Sequence, residues 1–336
     1  MSELLLAGDI GGTKANLVLV DPAGDPRQPL FGQRLPTNDF PSLEALLETF
    51  LQAAGRRAQH VCLGIPAPVV DGHVAPVNIR WQAQEHSVAR HLGLEKVRFL
   101  NDLVATALGI PELLPDEVVT LHPGAARVQG PKAVIAPGTG LGTGYLLHDG
   151  TRYQAYGAEG GHADFAPRGA VQRRLHAFLA DDGSVHDGQI HVEAVCSGRG
   201  IGNLWRFFGY EGLRDCASVE AQAGAATDPT PIVMHAAEQP EVNPRSAAAA
   251  NEFIHILLQE AGNAAVRWLA SGGVYLAGGV PPKVLKFLRR PAVLATYLSN
   301  RHLGQVVREA PLYVVINDQA AVLGAIAGGR ALFSSV

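Results

Sequence analysis

Hydrophobic positions along this chain come in short runs separated by glycine-rich turns, and their period switches repeatedly between strand and helix. Residues 4–7 and 17–20 are compact apolar runs that predict two strands, joined by the turn Gly8-Asp9-Ile10-Gly11-Gly12-Thr13-Lys14. From 41 to 54 the period changes: Leu43, Leu46, Leu47, Phe50 and Leu51 share one helical face. Residues 60–65 predict a strand, followed by a hairpin that turns at Asp71-Gly72 and returns through Val77-Asn78-Ile79-Arg80-Trp81. A strand at 97–100 then runs into Asn101-Asp102 and a helix at 103–109, and Pro111 and Pro115 mark a break that reads as a domain boundary.

The second half opens in the same way. An apolar run at 132–136 enters Pro137-Gly138-Thr139-Gly140-Leu141-Gly142-Thr143-Gly144, and residues 145–147 return as a strand. Strand, glycine turn, strand is the layout of the N-terminus again, an internal duplication of architecture without duplication of sequence. Helices are predicted at 171–179, 200–208, 247–269, 283–290 and 318–327, with strands at 273–276 and 313–316. Residues 212–244 are rich in Ala, Asp and Pro and carry no readable chemistry.

Composition narrows the class. With 336 residues, 47% hydrophobic and 17% charged, the chain is expected to form about two domains with a sizeable core. The net charge of -4 gives no electrostatic reason to expect nucleic acid or an anionic membrane as partner, so an anionic ligand must be held by local devices. Cys62, Cys196 and Cys216 are odd in number and lack Cys-x-x-Cys spacing, which fits a reducing compartment. Met1-Ser2-Glu3 has no basic leader, and no apolar run approaches the ~18 residues that span a bilayer. The expected location is the cytoplasm.

Chemistry concentrates at strand ends. Asp102, at the tip of a predicted strand, stands where open α/β folds place their reactive groups, and we read it as a general base acting on a hydroxyl. Asn and Asp are also favoured helix caps, and one of the pair can cap while the other faces substrate. The paired glycines at Gly11 and Gly12 let backbone N–H groups approach an anion, although Gly-Gly is also a common hairpin turn. Asp9 and Thr13 in the same turn suit a hydrated Mg²⁺ and a phosphate oxygen. Neither glycine turn is a Walker A loop or a dinucleotide fingerprint. The Gly138 turn, with Thr139 and Gly140, is a second candidate anion site or else a glycine-lined bend. Glu159 and His162, beside Gly160-Gly161, pair a charged acceptor with a switchable donor suited to vicinal hydroxyls; a metal pair is disfavoured because His-Glu-x-x-His is absent. Asn78 is a candidate substrate contact, though an Asn near a turn more often bonds its own backbone. Gly278-Gly279, between strand and helix, suits an adenosine lying flat on backbone, although any β–α turn can look like this.

Together, Asp9-Ile10-Gly11-Gly12-Thr13-Lys14, Phe99-Leu100-Asn101-Asp102, Gly138-Thr139-Gly140-Leu141-Gly142, the stretch from Glu159 to Pro167, Glu193 with Ser197-Gly198, and Ala277-Gly278-Gly279-Val280-Pro281 resemble the bacterial glucokinase family. That family lies within the actin-like, ribonuclease H-like sugar kinase superfold. The resemblance covers nearly the whole chain and is weakest between 210 and 245.

It implies an α/β kinase of two domains with the active-site cleft between them: 1–109 with 318–336, and 110–317. It implies transfer of the γ-phosphoryl group of ATP, with Mg²⁺, to the 6-hydroxyl of glucose, the first step of glycolysis. In the family pattern Asp9, Gly11, Gly12, Thr13, Lys14, Gly138, Thr139 and Gly140 take the ATP phosphates, Asp9 holding Mg²⁺ through water, and Gly278 and Gly279 take the adenosine. Asn101, Asp102, Glu159, His162 and Glu193 bind the sugar, with Asp102 also the base.

Similarity suggests a homodimer. The related repressor/open-reading-frame/kinase (ROK) family carries a cysteine-rich zinc motif after its Glu-x-x-His segment; residues 167–180 here contain no cysteine, so structural zinc is not expected. The alternatives are a kinase for another hexose or amino sugar, such as mannose or glucosamine, a polyphosphate-dependent enzyme, or a sugar-sensing regulator without catalysis.

Overall fold

The leading run Leu4-Leu5-Leu6-Ala7 is apolar at every position because both faces of its strand are covered. Leu4 and Leu6 face a core built on the first long helix, whereas Leu5 and Ala7 face a second core shared with the C-terminal helix. In the computed structural model, which describes residues 3–181, 189–300 and 302–333, this strand is the middle of a mixed sheet.

The elements in chain order are β1 Leu5–Ile10, β2 Lys14–Val20, β3 Phe31–Pro36, α1 Leu43–Ala54, β4 His60–Ile65, β5 His73–Val74, β6 Ala83–Gln84, α2 Glu85–Leu92, β7 Lys96–Asn101 and α3 Asp102–Gly109. Then follow β8 Val118–His122, β9 Lys132–Pro137, β10 Leu141–His148, β11 Tyr153–Ala158, α4 Gly169–Asp181, α5 Gly198–Tyr210, α6 Ala217–Ala225, α7 Thr230–Ala236 and α8 Pro244–Arg267. The last are β12 Gly273–Leu276, α9 Leu285–Leu288, α10 Pro291–Tyr297, α11 Gly304–Glu309, β13 Leu312–Val315 and α12 Ala320–Phe333.

By its internal contacts the chain divides into two compact units. The first comprises Met1–Glu117, Leu146–Gly157 and Asn317–Val336; the second comprises Val118–Tyr145 and Ala158–Ile316. These bounds differ from the expected domain ranges: the cut falls at 117 and not 109, and the outer part of the β10–β11 hairpin groups with the first unit. Residues 1, 2, 182–188, 301 and 334–336 of those ranges lie outside the described residues.

The first unit's sheet has the order β3-β2-β1-β4-β7, with β1, β4 and β7 parallel and β2 and β3 antiparallel additions. Helix α1 starts where Ser42 Oγ accepts from Ala45 N at 3.2 Å and stops at Gly55, whose φ is 61°. On the other face α3 and α12 pack so closely that a Cβ on Gly324 would stand 1.7 Å from the carbonyl oxygen of Ala105.

The second sheet has the order β11-β10-β9-β12-β13-β8, with β9, β12 and β13 parallel. In both sheets the glycine-turn hairpin lies to one side of the central strand and two parallel strands lie to the other, so the duplicated layout read from the sequence is present. Helix α8 is the main wall of the second core, with Phe253, Ile254, Ile256, Leu257 and Leu258 buried.

The structure corrects several sequence expectations. The tight turn at Asp71-Gly72 forms, with φ of 50° and 71°, but residues 77–81 are not its returning strand. The partner of β5 is β6, and Asn78 lies in the loop between them. The helix expected at 283–290 shortens to α9, because Pro281-Pro282 and Pro291 restrict the backbone at both ends. Residues 212–244 hold α6 and α7. Strands β3, β8 and β11 and helix α2 were not anticipated. Among the described residues no helix is long and apolar enough to cross a membrane.

Candidate active site

In the first unit, three parallel strands end side by side. Asp9 on β1 pairs in register with Gly64 on β4, and Ile65 pairs with Asn101 at the end of β7. Asn101 caps α3: its Oδ1 accepts from Leu103 N at 3.0 Å and Val104 N at 3.4 Å, and its Nδ2 donates to Ala67 O at 3.3 Å. Asp102 Oδ1 also accepts from Leu103 N, at 2.9 Å. The cap reading and the site reading of this pair are therefore compatible, with Asn101 doing most of the capping.

Asp9 is partly buried, and its carboxyl is pushed up to about 6. Burial is the largest cause; the charge of Asp102 adds to it, and Lys14 opposes it. The two carboxylates thus feel one another, so a cation between or beside them is favoured electrostatically.

The turn from β1 to β2 is held through its carbonyl groups. Thr37 Oγ1 donates to Gly11 O at 2.7 Å, Asn38 Nδ2 donates to Gly12 O at 2.8 Å, and Thr37 N donates to Thr13 O at 3.2 Å. Gly11 N closes the turn onto Lys14 O at 2.9 Å. Asn78 is exposed beside it, its Cβ 3.4 Å from where a Cβ on Gly12 would be.

In the second unit, the turn from β9 to β10 is shorter than the sequence suggested, since β10 begins at Leu141. Gly138 N donates to Gly140 O at 2.8 Å, and Gly138 O accepts from Gly198 N at 2.8 Å. Glu193 is built into this turn: its Oε2 accepts from Leu141 N at 2.8 Å. A Cβ on Gly140 would lie 2.5 Å from that oxygen, so only glycine leaves room for the carboxylate. Ser197 Oγ donates to Glu193 O at 2.7 Å and accepts from Gly200 N at 3.1 Å, which locks the start of α5 to the same segment.

Glu159 and His162 flank a single helical turn with 4.0 Å between His162 Nε2 and Glu159 Oε2, both largely exposed. Thr143 Oγ1 steadies that turn by donating to Ala158 O and accepting from Gly160 N, each at 2.9 Å. His191 Nδ1, two residues before Glu193, lies 2.7 Å from His162 O, so the Glu159–His162 turn and the Glu193 segment are adjacent. Gly278 has a φ of 81°, and Val280 N donates to Pro137 O at 3.3 Å; the second glycine pair therefore lies beside the Gly138 turn.

Each unit thus gathers its own share of the expected residues. Asp9, Gly11, Gly12, Thr13, Lys14, Asn78, Asn101 and Asp102 belong to the first, and Gly138, Thr139, Gly140, Glu159, His162, Glu193, Gly278 and Gly279 to the second. Among the described residues no three His, Cys, Asp or Glu side chains gather as a metal-holding group.

The family model for glucokinase matches residues 6–331. The chain belongs to the glucokinase family. It is 34% identical to a glucokinase of Nostoc sp. (strain PCC 7120) over 337 aligned residues, covering 96% of this chain and 97% of that protein. The fold matches that of a glucokinase from an Antarctic psychrotroph with a TM-score of 0.84 at 24% identity, covering 98% of this chain and 100% of that one. A ROK family glucokinase from Streptomyces griseus, solved in complex with glucose and AMPPNP, matches with a TM-score of 0.64 at 21% identity, covering 98% of this chain and 99% of that one. The fold is accordingly the two-domain, actin-like α/β fold of the sugar kinases, as the motifs implied.

Sequence reading missed Thr37 and Asn38, which carry the first glycine turn. A faint signal was present: Pro36-Thr37-Asn38-Asp39 is a cluster of turn-forming residues at a strand end, just ahead of the helix-capping Ser42. It also missed the contact between Glu193 and Leu141, since a main-chain partner 52 residues away leaves no trace in either local pattern.

Proposed function

We propose that this chain transfers the γ-phosphoryl group of ATP to the 6-hydroxyl of glucose, giving glucose 6-phosphate and ADP. The observation that carries the reading is the Asp102 carboxylate at the tip of a parallel strand, close enough to Asp9 that its charge adds to the burial that pushes the Asp9 carboxyl up to about 6. It is supported by membership of the glucokinase family and by the glucose and AMPPNP held by the Streptomyces griseus relative.

Asp102 takes the proton of the 6-hydroxyl as that oxygen attacks the γ-phosphorus, and the bond from phosphorus to the bridging oxygen of ADP breaks. Phosphoryl transfer needs little covalent help from protein, so positioning and charge neutralisation supply most of the acceleration. Asn101, Glu159, His162, Glu193 and Asn78 bind the sugar hydroxyls. Gly11 to Lys14 and Gly138 to Gly140 take phosphates, and Gly278 and Gly279 take the adenosine.

Mg²⁺ fits the donor set. This ion keeps several waters and needs only one or two carboxylates plus substrate phosphates, so an all-protein cage is not required. A carboxyl held above its usual range by burial and by a neighbouring carboxylate is relieved by a cation, and Asp9 is the residue that would hold it. The ion would neutralise charge on the phosphates. The same reading takes the two units as the two kinase domains, and includes a homodimer, a cytoplasmic location and the entry step of glycolysis.

The experiment is a panel of glucose, mannose, glucosamine and fructose with ATP or polyphosphate as donor, followed by release of ADP or by sugar phosphate. Highest kcat/KM with glucose and ATP supports the proposal. Preference for another sugar or donor replaces that part of it, and no turnover with any pair leaves the sugar-sensing regulator.

A further inference from the structure

In a trans peptide the carbonyl and the N–H of the same unit point to opposite sides. Whatever anchors a turn's carbonyls therefore aims its amides. In the first glycine turn all three carbonyls are anchored by one short helical turn, Thr37–Asp39. Gly11 O is held by Thr37 Oγ1 at 2.7 Å, which turns the Gly12 N–H away; Gly12 O is held by Asn38 Nδ2 at 2.8 Å, which turns the Thr13 N–H away. Thr13 O is held by Thr37 N at 3.2 Å. Among the described residues the N–H groups of Gly12 and Thr13 have no hydrogen-bond partner in the protein. Two successive donors on one side form the concave arrangement that binds anions.

We propose that Thr37 and Asn38 are positioning residues, which fix the amides of Gly12 and Thr13 in the orientation that receives a phosphate of the nucleotide. The inference rests on the reading of this turn as a phosphate site. Asn38 has a second handhold, since its Oδ1 accepts from Arg80 N at 3.3 Å. Arg80 is in the loop that carries Asn78, so one side chain joins the phosphate turn to a candidate sugar-contacting segment. Thr37 is fully buried, so its hydroxyl acts only within the protein and does not itself meet ligand.

The test compares binding of AMPPNP with Mg²⁺ by calorimetry, together with KM and kcat for both substrates, across wild type, Asn38→Ala, Asn38→Asp, Thr37→Val and Thr37→Ser. One neutral hydrogen bond converts to a change of roughly three- to tenfold in Kd. Thr37→Val is expected to weaken AMPPNP by that amount, and Thr37→Ser, which restores the hydroxyl, to recover most of it. Asn38→Asp retains the acceptor for Arg80 N but loses the donor to Gly12 O, so it weakens AMPPNP at least as much as Asn38→Ala.

A merely structural role would lower the melting temperature of Thr37→Val and Thr37→Ser alike without separating their nucleotide affinities, and that result would overturn the inference. So would an unchanged Kd in folded Asn38→Ala. Should Asn38→Ala not fold, the Thr37 pair decides alone. Failure of the underlying reading looks different: wild type itself would then not bind AMPPNP.

Discussion

The two glycine turns look alike in sequence and occupy equivalent places in their sheets, yet they are braced in opposite ways. The first is held by neutral donors on its carbonyls, from Thr37 and Asn38, which leaves two consecutive amides outward. In the second, Gly138 O is held by Gly198 N, Gly138 N closes onto Gly140 O, and the amide of Leu141, where β10 begins, is consumed by the carboxylate of Glu193. A negative charge at the root of a turn works against a phosphate, whereas a turn braced by neutral donors, with two amides left outward, favours one. The two turns therefore differ in what stands at their roots: neutral donors brace the first, and a carboxylate is fixed at the foot of the second.

The largest expected effect lies on the first unit's side. Asp102→Ala should lower kcat by roughly 10²–10⁴-fold with the melting curve little changed, the range a placed base contributes. Wild-type turnover in the purified variant would remove Asp102 from the role of base and with it the contrast between a reactive and a supporting unit.

Next in size is Glu193, where the comparison can be split. Glu193→Ala removes both the grip on Leu141 N and any sugar contact, and hydrogen bonds to charged groups are worth roughly 1.5–3 kcal/mol. A fall of about one to two decades in kcat/KM for glucose is expected, with a raised KM for ATP. Glu193→Gln retains an acceptor for Leu141 N, so it should restore the KM for ATP but not the kcat/KM for glucose. If the two variants behave identically, retaining an acceptor for Leu141 N makes no difference, and Glu193 does not serve the turn.

The smallest effect tests the paired carboxylates. Because the Asp9 carboxyl is raised from its ordinary 3.8 to about 6, its contribution to stability is fully present below about 3.8 and is lost as pH rises through about 6. In Mg²⁺-free buffer, the melting temperature of wild type minus that of Asp9→Asn should therefore fall by a few degrees between pH 4 and pH 7. Adding Mg²⁺ with a nucleotide should reverse part of that fall in wild type only. A difference that does not vary with pH would mean that Asp9 is not perturbed by its surroundings.

Much of this was legible before any fold was known. The continuous apolar run of β1 announced a strand, the five apolar positions of α1 announced its buried side, and Asp102 stood at a strand end because Phe99-Leu100 ran straight into a helix-capping pair. Less was legible where the period was weak. The stretch from Val77 to Trp81 alternates like a strand, but its ladder partner is absent, since β5 pairs with β6 after a wider loop. The hairpin from Leu146 to Gly157 gives no hint in its own residues that it groups with the first unit, because that depends on neighbours far away in the chain.

Local order is a matter of period, punctuation and side-chain chemistry, and these are written into consecutive residues. They determined the strand–turn–strand layout, its repetition, the family and the set of candidate residues. Which atom grips which carbonyl was decided only by the tertiary structure. Thr37 meets Gly11 across 26 residues and Glu193 meets Leu141 across 52, and such meetings depend on how β3 and the segment before α5 lie on their sheets. A hydrogen bond needs two partners within about 3 Å in a set direction, and one-dimensional spacing carries neither the distance nor the direction.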